Sequence, residues 1–517
     1  MAAPSDHERR LAHQGVRKSL GAYYTPPDVV GGVLDLALEP LLAERAAIGH
    51  EAVAALRVID PACGTGNFLV AVAHRITSTL VALGVDAAEA ADAGVRCVHG
   101  IEVEASTAET CRASLSTLSP SFADEQVVRG DALLDAATAS EGRYDLVVGN
   151  PPFLSRLGSK TARSVSEAKA LRNRFGDAVA AYTDPATIFL ALGHRLARPD
   201  GGVFALIEPI SILSARDAAG VRRAVVADAA LTDLWVIGNG VFDAAVEVCA
   251  PVLVRGASGD RTRLFAGRTR VPCPVVASPR PDEASWSRLL AAQGGLPVRS
   301  LQAQGTLAEL ATATADFRDQ YYGLAPHVVD RASEAPGWPR LVTVGLIDPA
   351  ALGWGHRLTR FNKASYLHPR VDLAALDPKL AAWAASRLVP KVLLATQTRV
   401  LEAVVDAEGS LLPSVPVISV VAPLADLWRV GAVLTCPAVA LEASRRHLGS
   451  GRNARSMRLR AQEVLELPLP ADREAWGEAA DLLERGAPLV EVGRRMDEAY
   501  GLGDDDELLA WWIDLLP

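Results

Sequence analysis

Between residues 57 and 256 the chain alternates short apolar, β-branched runs with longer stretches rich in Ala and Leu. The short runs have the composition of strands: RVID (57–60), CVHGIEV (97–103), QVVRGD (126–131), DLVVGN (145–150), GVFALIEP (202–209), LTDLWVIG (231–238) and VCAPVLVRG (248–256). Strands that alternate with helical stretches predict a mostly parallel α/β sheet with helices on both faces. Ligands of such sheets bind beyond the carboxyl ends of the strands, so functional residues are expected there.

The stretch from 255 to 286 is rich in Gly, Pro, Ser and charged residues, which is typical of a domain boundary. Half of the 517 residues are hydrophobic, enough for two or three domains with cores of their own. We predict a first α/β domain over residues 1–260, a second mixed α/β domain over 285–470 and a helical tail over 471–517.

The formal net charge of −9, from 52 Lys and Arg against 61 Asp and Glu, excludes a basic field over the whole protein. Any nucleic-acid contact must therefore come from local patches. Most of the cations are Arg, which suits phosphate and guanine contacts, although an Arg and Ala bias is equally expected from a GC-rich genome.

Six cysteines are scattered through the chain without a C-x-x-C pair, so neither a metal site nor a disulfide framework is expected. The first twenty residues are polar and charged, and no run reaches about 18 uninterrupted apolar residues. These features predict a soluble, cytoplasmic protein.

The segment DPACGTGNFL (60–69) joins the first predicted strand to a helix. Gly64 and Gly66 allow a tight turn and close approach of a ligand, and the helix N-terminus behind them offers free N–H groups. This favours a loop that binds a nucleoside cofactor, with a simple tight turn as the alternative. The segment is not a Walker loop, since no G-K-[ST] follows, and the dinucleotide fingerprint is incomplete.

Carboxylates end the next two predicted strands. Glu102 closes GIEVE, where it is placed to accept both ribose hydroxyls of a nucleoside, although a solvated strand-end Glu remains the alternative. Asp131 follows the third strand, where it is placed to accept a hydrogen bond from the adenine amino group of the same cofactor. The presence of all three acids at successive strand ends, Asp60, Glu102 and Asp131, is more specific evidence for a cofactor site than any one of them alone.

The fourth predicted strand runs directly into Asn150, Pro151, Pro152 and Phe153. Each proline ring fixes φ near −65° and removes a backbone N–H, so the direction of the carbonyls in this corner is set in advance. A rigid turn is the plain alternative, but it leaves the glycine loop upstream unexplained.

In this order DPACGTGNF, GIEVE, GDAL and NPPF resemble the motifs of class I methyltransferases that use S-adenosylmethionine. The upstream GAYYTPPDVV (21–30) resembles the motif that precedes the glycine loop in the gamma class of DNA amino-methyltransferases. The resemblance covers about residues 18–256 and implies a Rossmann-like, mostly parallel seven-stranded sheet. It also implies that Thr25, Asp60, Ala62 and Cys63 line the methionine side of the cofactor pocket, while Glu102 holds the ribose and Asp131 reads the adenine.

The resemblance gives the NPPF corner a chemical role. The Asn150 amide oxygen and the Pro151 carbonyl would accept the hydrogens of an exocyclic amine such as adenine N6, aiming the nitrogen lone pair at the methyl group. Phe153 would supply a face on which a flipped base stacks. The later segment GNGVFDAAVEVCAPVLV resembles a motif whose aromatic also sandwiches the target base, which nominates Phe242, with a core role as the alternative.

A catalytic domain of this kind reads little sequence itself, so the second domain is expected to recognise double-stranded DNA. Three stretches carry basic residues suited to phosphate or base contacts, namely 356–370, 391–399 and 445–460. Lys363, Arg452 and Arg455 are the candidate contacts, and solvated or acid-paired surfaces are the alternative at each.

The function predicted is site-specific N6-adenine DNA methylation by a restriction–modification or phage-defence enzyme, acting as a monomer. No convincing P-D…E-x-K arrangement lies downstream and few residues precede the first motif, so we expect a separate cognate endonuclease. Glutamine N5 methylation of a protein, rRNA methylation and cytosine N4 methylation are alternative activities, and a non-catalytic DNA specificity subunit is an alternative of another class.

Overall fold

The computed structural model describes residues 25–135, 140–153, 164–180, 183–241, 246–316, 318–451 and 453–517. The chain divides into two compact units, Met1–Gln293 and Gly294–Pro517. The boundary therefore lies beyond residue 260, where the first domain was predicted to end. The residues predicted as a separate tail, 471–517, belong to the second unit.

The first unit contains a central sheet with helices before, between and after its strands. Its helices are α1 (Pro27–Ala37), α2 (Glu39–Ile48), α3 (His50–Ala54), α4 (Asn67–Ala82), α5 (Ala87–Arg96), α6 (Ala105–Ser116), α7 (Val165–Phe175), α8 (Pro185–Leu196), α9 (Ala219–Val225) and α10 (Ser287–Gln293). Its strands are β1 (Val58–Asp60), β2 (Val98–Glu102), β3 (Val127–Arg129), β4 (Leu146–Gly149), β5 (Val203–Leu206), β6 (Glu208–Pro209), β7 (Ala229–Gly238), β8 (Val248–Arg255), β9 (Arg261–Ala266), β10 (Val271–Pro272) and β11 (Val276–Ala277).

The sheet has the order β10-β9-β7-β8-β5-β4-β1-β2-β3, with β6 beside β8 and β11 beside β9. Strands β3, β2, β1, β4 and β5 are parallel neighbours, and β8 runs antiparallel to β5 and β7. All seven predicted strands are present, which confirms the mostly parallel α/β fold. The run 202–209 differs in one respect, because it divides into β5 and β6.

The stretch predicted to be a linker contributes further strands to this sheet. Strand β9 pairs in parallel with β7, and β10 and β11 pair antiparallel with β9. The turn after β9 is tied to α1 by ion pairs, Arg268 to Asp28 at 2.5 Å and Arg270 to Asp35 at 2.5 Å. These contacts account for the extension of the first unit past residue 260.

Helix α1 packs tightly against the sheet. Pro27 occupies its first turn, where a missing N–H is tolerated, and its buried face includes Val29, Val33 and Leu34. A Cβ on Gly32 would lie 2.5 Å from the ring of Trp235 on β7, so only glycine allows this approach. The packing fixes the start of α1, next to which Thr25 stands.

The second unit contains several small sheets and a helical layer. Its strands are β12 (Ala303–Thr306), β13 (Thr312–Ala315), β14 (Val328–Asp330), β15 (Arg340–Val342), β16 (Ile347–Asp348), β17 (Ala351–Leu352), β18 (Thr359–Phe361), β19 (Ala364–Tyr366), β20 (Pro369–Val371), β21 (Lys391–Leu394), β22 (Gln397–Thr398), β23 (Ala403–Asp406), β24 (Leu411–Pro413), β25 (Ile418–Val421), β26 (Met457–Arg458) and β27 (Pro468–Pro470). Its helices are α11 (Arg318–Leu324), α12 (Pro378–Arg387), α13 (Leu427–Leu434), α14 (Pro437–His447), α15 (Ala461–Leu465), α16 (Arg473–Glu484), α17 (Leu489–Ala499) and α18 (Asp506–Ile513).

Two four-stranded sheets, β13-β25-β21-β23 and β14-β20-β15-β24, are the largest sheets of this unit. The last three helices pack into its core. Trp476 of α16 is fully buried and donates its indole N–H to the carbonyl of Arg429 at 2.9 Å. The Tyr500 hydroxyl donates to the carbonyl of Pro468 at 2.6 Å. The predicted tail is thus an integral part of the second unit.

All six cysteines are free thiols. Across the described residues, no group of three or more His, Cys, Asp or Glu is arranged to hold a metal ion. Within the same residues no single helix is long and apolar enough to cross a membrane, although the segments Leu424–Leu434 and Pro437–His447, bent by 64° at their break, pass that test together.

Asp497 on α17 should make the stability of the protein depend on pH. Burial raises its pKa from 3.8 to about 8, and the side chain is 1% exposed. The native carboxyl therefore keeps its proton where the unfolded chain has lost it, so the free energy of unfolding should fall as pH rises from about 4 to about 8. Asp497→Asn does not ionise and should be more stable than the parent at pH 8.5, by on the order of 1 to 3 kcal/mol.

Urea unfolding at pH 5 and pH 8.5 measures this difference. Asp481→Asn, at an exposed position on α16, is the matched control and should keep the pH dependence of the parent. Equal pH profiles for the Asp497→Asn variant and the parent would contradict the expectation.

Candidate functional site

A cavity of about 290 Å³ lies at the carboxyl ends of β1, β2, β3 and β4. Most of the residues predicted for the site line it: Thr25, Asp60, Ala62, Cys63, Gly64, Glu102, Asp131, Asn150 and Pro152. The structure therefore brings the glycine loop, the strand-end acids and the proline corner into one place, as parallel strand order requires.

The glycine loop turns tightly between β1 and α4. Gly64 and Gly66 have φ of 54° and 93°, in the left-handed region that favours glycine, and the Gly66 N–H donates to the Cys63 carbonyl at 2.9 Å. A Cβ on Gly66 would lie 2.9 Å from Cys111 Sγ. Gly66 is thus required by both its conformation and its packing, although it lies outside the cavity lining.

Glu102 is held against the glycine loop. Its two carboxylate oxygens accept hydrogen bonds from the backbone N–H of Gly64 and of Glu104, both at 3.0 Å. Burial raises the pKa of Glu102, while these two N–H groups oppose the rise. The side chain therefore has a fixed direction at the end of β2, and its oxygens retain lone pairs for hydroxyl donors.

Asp60 is the most deeply buried acid of the site, at 1% exposure. Its Oδ1 accepts a hydrogen bond from the Ala62 N–H at 3.0 Å. Its pKa is raised to about 8, chiefly by burial; the Ala62 N–H opposes the rise and the charge of Glu102 adds to it. A cationic ligand group in the cavity would be stabilised by ionisation of this carboxyl.

Asp131 occupies the turn after β3. Its Oδ1 accepts hydrogen bonds from the N–H groups of Leu133 and Leu134, at 2.9 and 3.1 Å. These bonds fix the carboxylate, which lines the cavity next to Gly130 and Ala132. One carboxylate oxygen thus has a structural role that the sequence did not indicate.

Gly149 is a residue of the site that the sequence analysis missed. It ends β4 directly before Asn150, and a Cβ at this position would lie 2.4 Å from Asp60 Oδ1. The glycine in DLVVGN was the available signal. Its lack of a side chain lets the buried acid of β1 stand beside the proline corner.

Asn150 is anchored by Thr25. Its Nδ2 donates a hydrogen bond to Thr25 Oγ1 at 3.0 Å, across 125 residues of sequence, and Thr25 is 5% exposed. The resemblance assigns Thr25 to the methionine end of a cofactor. The structure shows that its hydroxyl also orients the Asn150 amide.

Other predicted residues lie elsewhere. Phe153 is 5% exposed, belongs to the hydrophobic core cluster of the first unit and is not part of the cavity lining. Pro151 is buried but likewise does not line the cavity. Phe189 and Pro185 of α8 do line it and were not predicted, although the Asp-Pro pair that begins this helix was a readable start signal.

The predicted DNA contacts belong to two groups. Phe242 and Arg452 lie outside the described residues. Lys363 and Arg455 are exposed in the second unit. Lys363 lies in the turn of the β18–β19 hairpin, with φ of 69°.

Residues 9–265 match the family model described as N-6 DNA Methylase. A segment of the chain is 30% identical over 158 residues to the Type II methyltransferase M.PaeR7I of Pseudomonas aeruginosa. Another alignment, to the Type II methyltransferase M.BstVI of Geobacillus stearothermophilus, has 27% identity over 145 residues. These alignments cover 28% and 26% of this chain but only 25% and 24% of the relatives.

Two solved structures resemble the whole chain in fold. The Type IIL restriction-modification enzyme MmeI, in complex with DNA, has a TM-score of 0.62 at 13% identity, covering 96% of this chain and 79% of that one. A DrdV–DNA complex has a TM-score of 0.51 at 13% identity, covering 94% and 60%. At 13% identity this likeness establishes the fold alone.

Gly149→Ala should destabilise the first unit, because the added methyl would overlap Asp60 Oδ1 at 2.4 Å. We expect a loss of about 1 to 3 kcal/mol, which chemical denaturation measures. Gly31→Ala is the matched control: on α1 a Cβ would lie 3.7 Å from Arg75 Nη2, an ordinary contact. Its stability should be unchanged or higher, since Ala favours a helix. An equal loss in both variants would contradict the role of the Gly149 contact.

Proposed function

Residues 9–265 belong to the N-6 DNA methylase family, and on this premise we propose that the chain is a site-specific DNA methyltransferase. It transfers a methyl group from S-adenosylmethionine to the N6 amino group of an adenine flipped out of double-stranded DNA. The observation that carries the proposal is the placement of Asn150, oriented by Thr25, in the same cavity as three strand-end acids. The description of the family favours DNA over the protein and rRNA alternatives.

The cavity fits S-adenosylmethionine by its set of polar groups. This cofactor supplies a methyl group on a positively charged sulfur and carries a ribose and an adenine. Glu102, fixed at the end of β2, would accept the ribose hydroxyls, and Asp131 would accept from the adenine amino group; backbone N–H bonds that fix both carboxylates support these roles. The buried carboxyl of Asp60 provides negative charge on the side of Thr25 and Asn150.

The proline corner prepares the amine for attack. With Nδ2 donating to Thr25, Asn150 presents Oδ1 as the atom that accepts an amino hydrogen. Although Pro151 does not line the cavity, we assign to its carbonyl, as the resemblance implies, the second amino hydrogen; with both hydrogens accepted, the nitrogen lone pair would be localised on N6. Because the ring of each proline fixes φ, these acceptors need no rearrangement during the reaction. The base must leave the duplex to reach them.

The second unit would recognise the DNA sequence, since its fold extends the likeness to MmeI over nearly the whole chain. We place the activity in modification within a restriction–modification or phage-defence system, with a separate cognate endonuclease as partner. Phe242, Lys363, Arg452 and Arg455 remain the proposed DNA contacts, and Phe153 the proposed stacking face.

The direct test is methylation of unmethylated genomic DNA with labelled S-adenosylmethionine, followed by nucleoside analysis. The parent should produce N6-methyladenine, and Asn150→Ala should lower kcat at least about 100-fold, the scale of one preorganised catalytic group. Cofactor binding by this variant, measured by equilibrium dialysis, should be retained. Asn173→Ala, at an exposed position on α7, is the control and should retain full activity. Label in protein or RNA instead of DNA would refute the proposal.

Substitution of Thr25 separates its two roles. Thr25→Val keeps the shape and removes the hydroxyl, so kcat should fall about 2- to 10-fold, the effect of one hydrogen bond. Thr25→Ser keeps the hydroxyl and should restore most of the rate. If Thr25 acts through Asn150, the cofactor Kd will be nearly constant across the series. A rise of Kd with unchanged kcat would instead assign Thr25 to the cofactor alone.

A further inference from the structure

Strands β22 and β26 join two basic segments that are far apart in sequence. Gln397 lies opposite Arg458 and Thr398 opposite Met457 in an antiparallel pair. The Leu459 N–H donates to the Thr396 carbonyl at 3.1 Å, which extends the pairing by one residue. Residues 396–398 and 457–459, which belong to two stretches predicted separately as DNA contacts, therefore form a short two-stranded ribbon in the second unit.

The two faces of this ribbon differ in character. Thr398 and Met457 are 9% and 0% exposed and face the core. Gln397 and Arg458 are exposed, and as direct cross-strand neighbours their Cβ atoms stand about 5 Å apart. Arg399, the residue directly after β22, is also exposed. The exposed residues of the ribbon and its edge thus include one amide and two guanidinium groups.

The loop before β26 adds a third guanidinium. Arg455 is exposed, and its N–H donates to Asn453 Oδ1 at 3.0 Å. The Arg458 N–H donates to Ser450 Oγ at 2.8 Å, and the Gly449 N–H donates to the Ser456 carbonyl at 3.0 Å. These bonds fix the backbone that carries Arg455 and Arg458, so little ordering is needed when a ligand binds.

Among the described residues no carboxylate lies within 4.0 Å of Arg399, Arg455 or Arg458. Neighbouring arginines differ: Arg446 pairs with Glu442 at 2.6 Å, and Arg460 pairs with Glu463. In a chain with nine excess acidic charges, three exposed arginines on or next to one short ribbon, with no described carboxylate within 4.0 Å, mark a surface that favours a polyanion.

We propose that the exposed surface of the ribbon and its edge, formed by Gln397, Arg399, Arg455 and Arg458, enters the major groove of duplex DNA and reads bases there. A two-stranded β-ribbon fits the major groove, and Gln and Arg are the side chains that form bidentate pairs with adenine and guanine. Gln397 and Arg458, at the centre of the pair, contact base edges. Arg399 and Arg455, which flank them, contact phosphates. The inference rests on the proposed function, because base contacts made by the ribbon would give the DNA methyl transfer its sequence specificity.

Sequencing of methylated sites on genomic DNA tests the base contacts. Arg458→Ala and Gln397→Ala should each relax the methylated sequence at one position, with discrimination against the wrong base falling about 5-fold or more. Binding of fluorescent duplexes over a range of salt tests the phosphate contacts. Arg399→Ala and Arg455→Ala should weaken binding to every duplex alike and lower the slope of log K against log salt by about 1 each.

Arg485→Ala is the matched control, since Arg485 is exposed after α16, away from the ribbon in sequence, and has no acid within 4.0 Å among the described residues. It should change neither the methylated sequence nor the salt slope. If the four ribbon variants match this control while the parent methylates DNA, the ribbon is not the reading element and the proposed function stands. If the parent transfers no methyl group to DNA, the proposed function fails. The binding measurement then tests the ribbon by itself: if the salt slope is the same in the ribbon variants and in the control variant, the ribbon does not contact DNA phosphates and the inference is refuted.

Discussion

The contact between the end of β1 and the end of β4 holds the site together. Asp60 fills the space that a side chain on Gly149 would occupy, and the next residue along β4 is Asn150. The parallel register of these strands, Val58 opposite Leu146 and Ile59 opposite Val147, brings the two strand ends level. The glycine loop follows one strand and the proline corner follows the other. The buried carboxyl of Asp60 lies between these two segments, and its contact with Gly149 sets how closely they approach.

Local composition was sufficient to predict the seven apolar strands of the first unit, because each is a short, continuous apolar run and most of them lie between helices. Parallel strand order then implied that Asp60, Glu102, Asp131 and Asn150 meet at one edge, and the cavity contains all of them. The edge strands escaped prediction for a physical reason. Strand β9 alternates exposed and buried residues in a Gly-rich, charged stretch, and it is stabilised by distant partners such as Asp28 rather than by local pattern.

Long-range packing also explains what the sequence did not reveal about individual side chains. Thr25 and Asn150 are 125 residues apart, and no spacing rule predicts their hydrogen bond. Phe153 follows two prolines, as a stacking residue would, yet it belongs to the core cluster of the first unit. The helices of residues 471–517 were predicted to be a tail; they are amphipathic and follow a strand that contains two prolines. Their buried Trp476 shows that the apolar face is required by the second unit.

The distribution of carboxylates over the surface determines where an acidic protein can bind a polyanion such as DNA. At physiological salt the Debye length is about 8 Å, so an exposed guanidinium responds to acids in its immediate surroundings and little to the net charge of −9. Lys391 illustrates one extreme: it is buried and neutralised by Asp406 at 2.6 Å, and it contributes nothing to an external field. Arg458 illustrates the other extreme: it is exposed opposite Gln397, without a described carboxylate within 4.0 Å. Where guanidinium groups lie close together on a surface, they repel one another and lower the stability of the free protein slightly. That repulsion is relieved when an anion lies between them, so the same arrangement that weakens the free surface strengthens its complex.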